Sequence, residues 1–322
     1  MMHFCTLFDS NYISKGIAMY MSLQQVESDF VLYVMAMDRK CHDMLTSLGF
    51  DKIRVECIND IDDSRLWDAE SNRSRAEFCW TCGSYVTDYF LHKYSLPDIV
   101  YLDSDLMFFS SPRILYDELE SRNASIGLAP HFMRSETFGK YCVQFVYFKH
   151  DDDGCEALRW WRDECLKWCY NKLEDGRFGD QKYLDSFHLR FRNVVDIENR
   201  GCGVAYWNLS DYDFEKHHTV FFHYSGLNAK VAGETLNVRY SFYVTRRVMA
   251  SFIRPYAELL VRVFNDCLGQ RVSTMDFGPL ERRKYFLKAL LHYMKDVPLV
   301  DDFVDLFMRM SHRRKRKLYS SK

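Results

Sequence analysis

Ile99-Val100-Tyr101-Leu102-Asp103-Ser104-Asp105-Leu106-Met107-Phe108-Phe109 is the stretch on which the fold turns. Two carboxylates one residue apart interrupt an apolar and aromatic run, so a buried strand is brought to its end on paired acids. Ionised carboxylates in an apolar setting carry a penalty of several kcal/mol unless a hydrogen-bond donor, a cation or a metal compensates them. An Asp-x-Asp at a strand end therefore suits a hard divalent ion, Mg²⁺ or Mn²⁺, which takes oxygen ligands and shares them with substrate phosphates. Read alone, the same pair also suits a turn in which Asp103 and Asp105 accept backbone N–H groups.

Toward the N-terminus, Ser74-x-x-Glu77 has the form of a capping box, and Ala76, Cys79, Gly83, Val86 and Phe90 follow at helical spacing, so a helix leads directly into the strand. Before it, Asn59 to Arg73 is strongly polar and reads as a loop. The run His3 to Phe8 reads as a strand ending in Asp9-Ser10-Asn11. A helical pattern through Ile17, Tyr20, Met21 and Gln24 comes next. Phe30 to Ala36 is apolar without alternation, which suits a strand of a parallel sheet covered on both faces. Lys40 to Leu48 reads as a helix closed by Gly49, and Ile53 to Cys57 as a third strand. Strands alternating with helices predict an α/β sheet.

Toward the C-terminus, Ser111-Pro112 opens a short helix. Ala124 to Ala129 and Val143 to Phe148 read as strands. Asp153 to Lys172 reads as a helix with Ala157, Trp161, Cys165 and Trp168 on one face. Phe178 to Leu184 is a glycine-led turn into a helical segment carrying Asp180 and Gln181, and Val220-Phe221-Phe222 ends at His223. After about Asn237 strand signals fade; Leu287, Leu290, Leu291 and Met294 fit one helix, and Phe303, Leu306, Phe307 and Met310 another. Asp276-Phe277-Gly278 lacks the catalytic and glycine-rich loops that would make it a kinase magnesium motif.

Composition narrows the function. The 322 residues are 48% hydrophobic, enough for one large domain or a domain with a helical appendage. A formal charge of −2 argues against nucleic acid as the main partner. The chain has no apolar run of membrane-span length and no export signal at its start, so a cytoplasmic location is expected. Eleven cysteines, an odd number, are then expected to be reduced, and the sequons at Asn72, Asn123 and Asn208 to carry no meaning. Cys79-x-x-Cys82 has no second pair at finger-like spacing, and Cys165 and Cys169 read as packing.

Four polar clusters thus fall at the carboxyl ends of strands: Asp9 to Tyr12, Asp103 with Asp105, Asp180-Gln181, and His223. Open α/β sheets bind ligands along that edge, so one shared site is the economical reading. Phe4 to Tyr12, Tyr101 to Asp105, Phe178 to Leu184 and Phe222 to Gly226, in this order, resemble the successive motifs of GT-A fold nucleotide-diphospho-sugar glycosyltransferases. The likeness is to a bacterial group akin to glycosyltransferase family 8, and it covers roughly residues 1 to 240.

The resemblance implies a Rossmann-like, mixed but mainly parallel sheet flanked by helices over residues 1–240; the helical patterns that follow read as a C-terminal helical extension over 241–311, and the cationic run after them as a basic tail over 312–322. The resemblance also implies that Asp103 and Asp105 hold Mn²⁺ or Mg²⁺, with His223 as a further ligand. Thr6, Asp9, Asn11 and Tyr12 match the nucleoside loop, Ser104 lies within the diphosphate motif, and Arg75 is a phosphate or sugar contact. Asp180 and Gln181 match the motif beside the donor sugar. The implied reaction moves a sugar, with retention, from a nucleotide-sugar (UDP-linked) donor to a glycan or lipid-linked acceptor in surface polysaccharide or glycoconjugate assembly.

Departures from the pattern are specific. Lys230 comes four residues after Gly226 with no Pro-Trp following, Ser225 stands where relatives carry a histidine, and Cys142-Val143-Gln144 replaces an Asn-Val-Gly. Two alternatives stay open. A nucleotidyltransferase would want a glycine-rich basic loop after the first strand, which is absent; a non-catalytic sugar-nucleotide-binding protein is suggested by Cys142, Gln144 and Ser225. The run His312 to Lys317 follows an amphipathic helix and is either a solvated tail or a peripheral contact with an anionic inner membrane surface, at about 1 kcal/mol per cation.

Overall fold

The continuous apolar runs form the centre of one sheet. The computed structural model describes residues 1–133, 136–242 and 244–278. In it β1 (Met2–Phe8) and β2 (Phe30–Ala36) pair in parallel along their whole length, and every residue of β1 is buried. β3 (Ile53–Cys57) pairs with the far side of β2, and β4 (Asp98–Leu102) with the other side of β1. After β5 (Leu106–Phe108), the strands β6 (Ile126–Pro130), β7 (Tyr141–Lys149) and β8 (Val194–Asp196) complete seven strands in the order β3-β2-β1-β4-β7-β6-β8. Only β7 runs against its neighbours, so the sheet is mixed and mainly parallel.

Helices alternate with these strands: α1 (Ile13–Val26), α2 (Arg39–Leu48), α3 (Ser64–Ser71), α4 (Arg75–Lys93), α5 (Arg113–Ser121) and α6 (Asp152–Lys167). Their ends follow from local chemistry. The Asp38 carboxylate accepts the Cys41 N–H at 2.7 Å to start α2, and Gly49 at φ 61° closes it. At α4 the capping box forms reciprocally between Ser74 and Glu77. This helix buries Phe78, Cys82, Tyr85, Val86 and Phe90 in the same core as Ala157, Trp161 and Cys165 of α6, and Arg162 of α6 pairs with Asp88 of α4.

Three expectations change. Residues 59–73 are not a plain loop, because α3 lies within them, capped by Asp63 and burying Leu66 and Ala69. Two core-facing residues in an eight-residue helix leave too faint a period to read. The α6 helix ends at Lys167 rather than Lys172; Trp168 turns extended, its indole donates to Glu174 at 3.3 Å, and Arg177 lies 4.5 Å over its ring. The chain after Asn237 is not wholly helical, as β12 shows below.

The chain divides into two compact units. The first comprises Met1–Ser225 with Pro255–Val272 and holds the sheet. It also contains β9 (Phe221–His223), which pairs antiparallel with β5. The second comprises Gly226–Arg254 with the chain from Ser273 onward. Its hairpin of β10 (Leu227–Ala232) and β11 (Thr235–Tyr240) is joined by β12 (Thr274–Asp276), parallel to β11, and Arg239 reaches Asp276 at 2.7 Å. The helices expected at Leu287–Met294 and Phe303–Met310, and the basic run from His312, lie outside the described residues. No helix among the described residues is long and apolar enough to cross a membrane.

Candidate active site

The chain runs from β1 to β2 and β3 on one side, while β4 lies on the other, so the strand order reverses between β1 and β4. The crevice outside the carboxyl ends of strands at such a reversal is where open α/β sheets bind ligands. Asp9 to Tyr12 leave β1 at that edge, and Asp103 to Asp105 leave β4 there. The Asp103 N–H donates to the Gln144 carbonyl of β7 at 3.4 Å.

Pairing of β5 with β9 brings His223 to the acids. Leu106 stands opposite His223 in register, and the Tyr224 N–H donates to the Asp105 carbonyl at 2.9 Å. His223 Nε2 then lies 3.1 Å from Asp105 Oδ1 and 3.6 Å from Asp103 Oδ2. Its Nδ1 lies 2.8 Å from Gln144 Oε1, which can only accept, so the ring donates from Nδ1. The indole of Trp207 meets the imidazole edge-on, with ring centres 5.3 Å apart.

Several neighbours of the acids are not apparent from sequence pattern alone. Lys15 of α1 is buried, with Nζ 3.5 Å from Asp105 Oδ2 and 4.3 Å from the centre of the Tyr12 ring. A lysine in a helix of small and apolar residues is the signal that marks it. Cys142 supplies a ligand atom that lies, with one each from Asp103 and His223, inside a span of 4.8 Å; its motif position marked it only as a departure. Tyr256 is fully buried and stacks on Tyr224 with ring centres 3.7 Å apart.

The electrostatics are those of an acid cluster short of cations. Burial, opposed by the His223 charge and reinforced by Cys142 and Asp105, pushes the Asp103 carboxyl up to about 7. Burial weighs on Asp105 too, but the charge and hydrogen bond of His223, followed by Lys15, hold it below the usual carboxylate range. Burial disfavours an imidazolium at His223, yet Asp105, Cys142 and Asp103 together raise its pKa well above the ordinary value. Asp180, also buried, is pushed well up by that burial and then by the Asp103 charge. For Cys142, burial would raise the thiol, but His131 and His223 bring it down to about 6.

Three carboxylates and a thiol thus face three basic groups, Lys15, His131 and His223, and four buried polar atoms have no partner: Gln144 Nε2, Trp207 Nε1, Tyr256 Oη and, in β1, Thr6 Oγ1. Carboxylate oxygens, an imidazole nitrogen and open polar atoms in one crevice fit a divalent cation with an oxygen-rich ligand.

The remaining predicted residues are placed as follows. Asp9 accepts the N–H groups of Asn11 at 3.0 Å and Tyr12 at 3.2 Å, and Arg75 Nε approaches it at 3.4 Å, so the acid shapes the loop after β1. Arg75 also donates to the Met37 carbonyl at 2.8 Å. Tyr12 is exposed by 46%, with Lys15 Nζ over its ring. Asn11 is exposed and Ser104 half-buried. Gly179 takes φ 51° to turn the chain into Asp180, but Gln181 directs its amide to the Phe138 carbonyl at 2.8 Å. Asn208 of the third sequon is buried, its side chain bonded to Ala205, His131 and Gly203.

Fold and crevice together define a GT-A-type glycosyltransferase fold. The structure is similar to that of the galactosyltransferase LgtC solved with donor and acceptor sugar analogues, at TM-score 0.55 and 13% identity over 80% of this chain and 95% of that one. It is also similar to the glycosyltransferase GlyE of Streptococcus pneumoniae TIGR4, at TM-score 0.50 and 15% identity over 82% of this chain and 63% of that one. Among curated proteins, YfnF of Bacillus subtilis strain 168 is 26% identical over 295 residues, covering 85% of this chain and 94% of its own length. YfnD of the same strain is 27% identical over 242 residues, covering 70% and 77%. Both are described as uncharacterized. No protein-family model matches the chain.

Proposed function

We propose that this chain is a metal-dependent glycosyltransferase that moves a sugar from a UDP-sugar to a glycan or lipid-linked acceptor. The observation that carries the reading is the convergence of Asp103, Asp105 and His223, with contacts of 3.1 and 3.6 Å, at the reversal of strand order. In transfer, the bond from the anomeric carbon to the diphosphate oxygen breaks while an acceptor hydroxyl forms the new glycosidic bond and loses its proton. Asp103, Asp105 and His223 would hold Mn²⁺ or Mg²⁺, which supplies Lewis-acid neutralisation of charge on the departing diphosphate.

The chain's own groups do the rest. Lys15 adds a fixed positive charge beside Asp105 in an enclosed setting, where such charges act strongly on developing anions. Tyr12 offers its exposed face to the uracil ring, and Asp9 and Asn11, in the loop after β1, receive the nucleoside with Thr6 of the strand behind them. Ser104 and Arg75 complete the phosphate side. Asp180 and Gln181 flank the donor sugar, with Asp180 on the anomeric carbon's side. The likeness to LgtC, a galactosyltransferase solved with donor and acceptor analogues, supports a hexose donor, and transfer with retention rests on the resemblance of the four motifs to glycosyltransferase family 8.

Incubation with a panel of UDP-sugars and Mn²⁺, following UDP release, tests the reading. Asp105→Asn is expected to lower turnover by on the order of 10²-fold. Undiminished turnover in that variant would refute the site, and NMR of the product anomer reads the stereochemistry.

A further inference from the structure

Cys142, the second residue of β7, is 5% exposed and is a free thiol beside Asp103 and His223. One ligand atom each from Asp103, Cys142 and His223 lies within 4.8 Å of the others. Metal bonds of about 2.0 Å to nitrogen or oxygen and 2.3 Å to sulfur close that span with side-chain movements of roughly an ångström. Cys142 and Gln144 are two residues apart on one strand and so share a face of the sheet. Gln144 Oε1 holds His223 Nδ1 at 2.8 Å, which commits the ring's Nδ1 to a hydrogen bond and leaves Nε2 as the coordinating atom.

We propose that Cys142 is a thiolate ligand of the ion held by Asp103 and His223, and that the site therefore takes a borderline-soft divalent ion such as Co²⁺ or Zn²⁺ in preference to Mg²⁺. This rests on the reading that Asp103 and His223 bind a divalent cation at all. A donor set of carboxylate, imidazole and thiolate is unlike the all-oxygen environment that Mg²⁺ demands. Even with Asp105 joining them, an ion that expands beyond four ligands keeps positions open for a substrate oxygen. On coordination the thiol gives its proton to solvent, so no further reactant is required.

The test is titration of Co²⁺ into the metal-free full-length protein, watching the near-ultraviolet sulfur-to-cobalt charge-transfer band. The wild type is expected to develop the band. Cys142→Ser and Cys142→Ala are expected to lose it and to weaken Co²⁺ binding by more than about ten-fold, while Mg²⁺ binding stays unchanged. Cys155→Ser, which alters the thiol near His92 and His150, is expected to keep the band. Co²⁺ bound by the wild type without the band overturns the thiolate ligand but leaves the carboxylate–histidine site standing, and this spectrum decides even if a variant fails to fold. A band that persists in Cys142→Ser overturns it as well. Failure of the wild type to bind Co²⁺ or Mn²⁺ at all refutes both the ligand and the site.

Discussion

Gln144 makes the most exacting claim at the scale of single residues. Its carbonyl oxygen orients His223, and Gly203 sits where any Cβ would meet the Gln144 amide nitrogen at 1.8 Å, so a glycine is required for the amide to lie there. Gln144→Leu keeps the bulk but removes the acceptor. It is expected to weaken Mn²⁺ binding about 10- to 100-fold, measured by electron paramagnetic resonance of free Mn²⁺; affinity within about two-fold of wild type would contradict the role. Protons compete for the same site. Asp103, raised to about 7, and His223, raised well above its ordinary value, both hold protons near neutrality in the metal-free protein, and a metal must displace them. Mn²⁺ affinity is therefore expected to rise as pH passes upward through about 7 and to fall below it, as titration calorimetry would show. The paired acids were legible because carboxylates inside an apolar run announce themselves. The roles of Lys15, Cys142 and Tyr256 were not, since a lysine among apolar helix residues, a departure from a motif and a lone tyrosine name no partner until the fold brings them together.

Among the elements, α6 depends on a glycine that helix propensity alone would discard. A Cβ on Gly154 would lie 2.1 Å from the Lys149 carbonyl oxygen and 3.0 Å from that of Ser125, so the helix start is pressed against backbone. Alanine favours a helix over glycine by about 1 kcal/mol, yet overpacking against atoms that cannot swing aside costs about 1–3 kcal/mol. Gly154→Ala is expected to lower stability in denaturant unfolding, and a gain would contradict the packing. The Arg162–Asp88 pair joins α6 to α4 with side chains 18% and 12% exposed. Removing one partner of an enclosed pair is expected to cost roughly 3 kcal/mol, so Arg162→Met should lower the melting temperature by several degrees. Elements with strong periodicity or a capping box, α2 and α4 above all, were readable from sequence. The end of α6 and the existence of α3 were not, because one is set by Trp168 finding Glu174 and Arg177, and the other by only two buried residues.

For the molecule as a whole, the order of polar motifs along the chain carried more than any single motif. Continuous apolar β1 and β2 foretold a covered parallel sheet, and acids leaving β1 and β4 foretold a crevice between them. The antiparallel course of β7 and the pairing of β5 with β9 depend on contacts between distant segments, and local patterning holds no record of them. Those two pairings nonetheless build the site, delivering Gln144 and Cys142 from one side and His223 from the other. The central claim, a metal-dependent nucleotide-sugar site, is tested most directly by calorimetric titration of UDP into the full-length protein with Mn²⁺ and with a chelator. The account predicts saturable binding with Mn²⁺ that disappears in the chelator and in Asp103→Asn; equal binding with and without metal, or none in either, would contradict it.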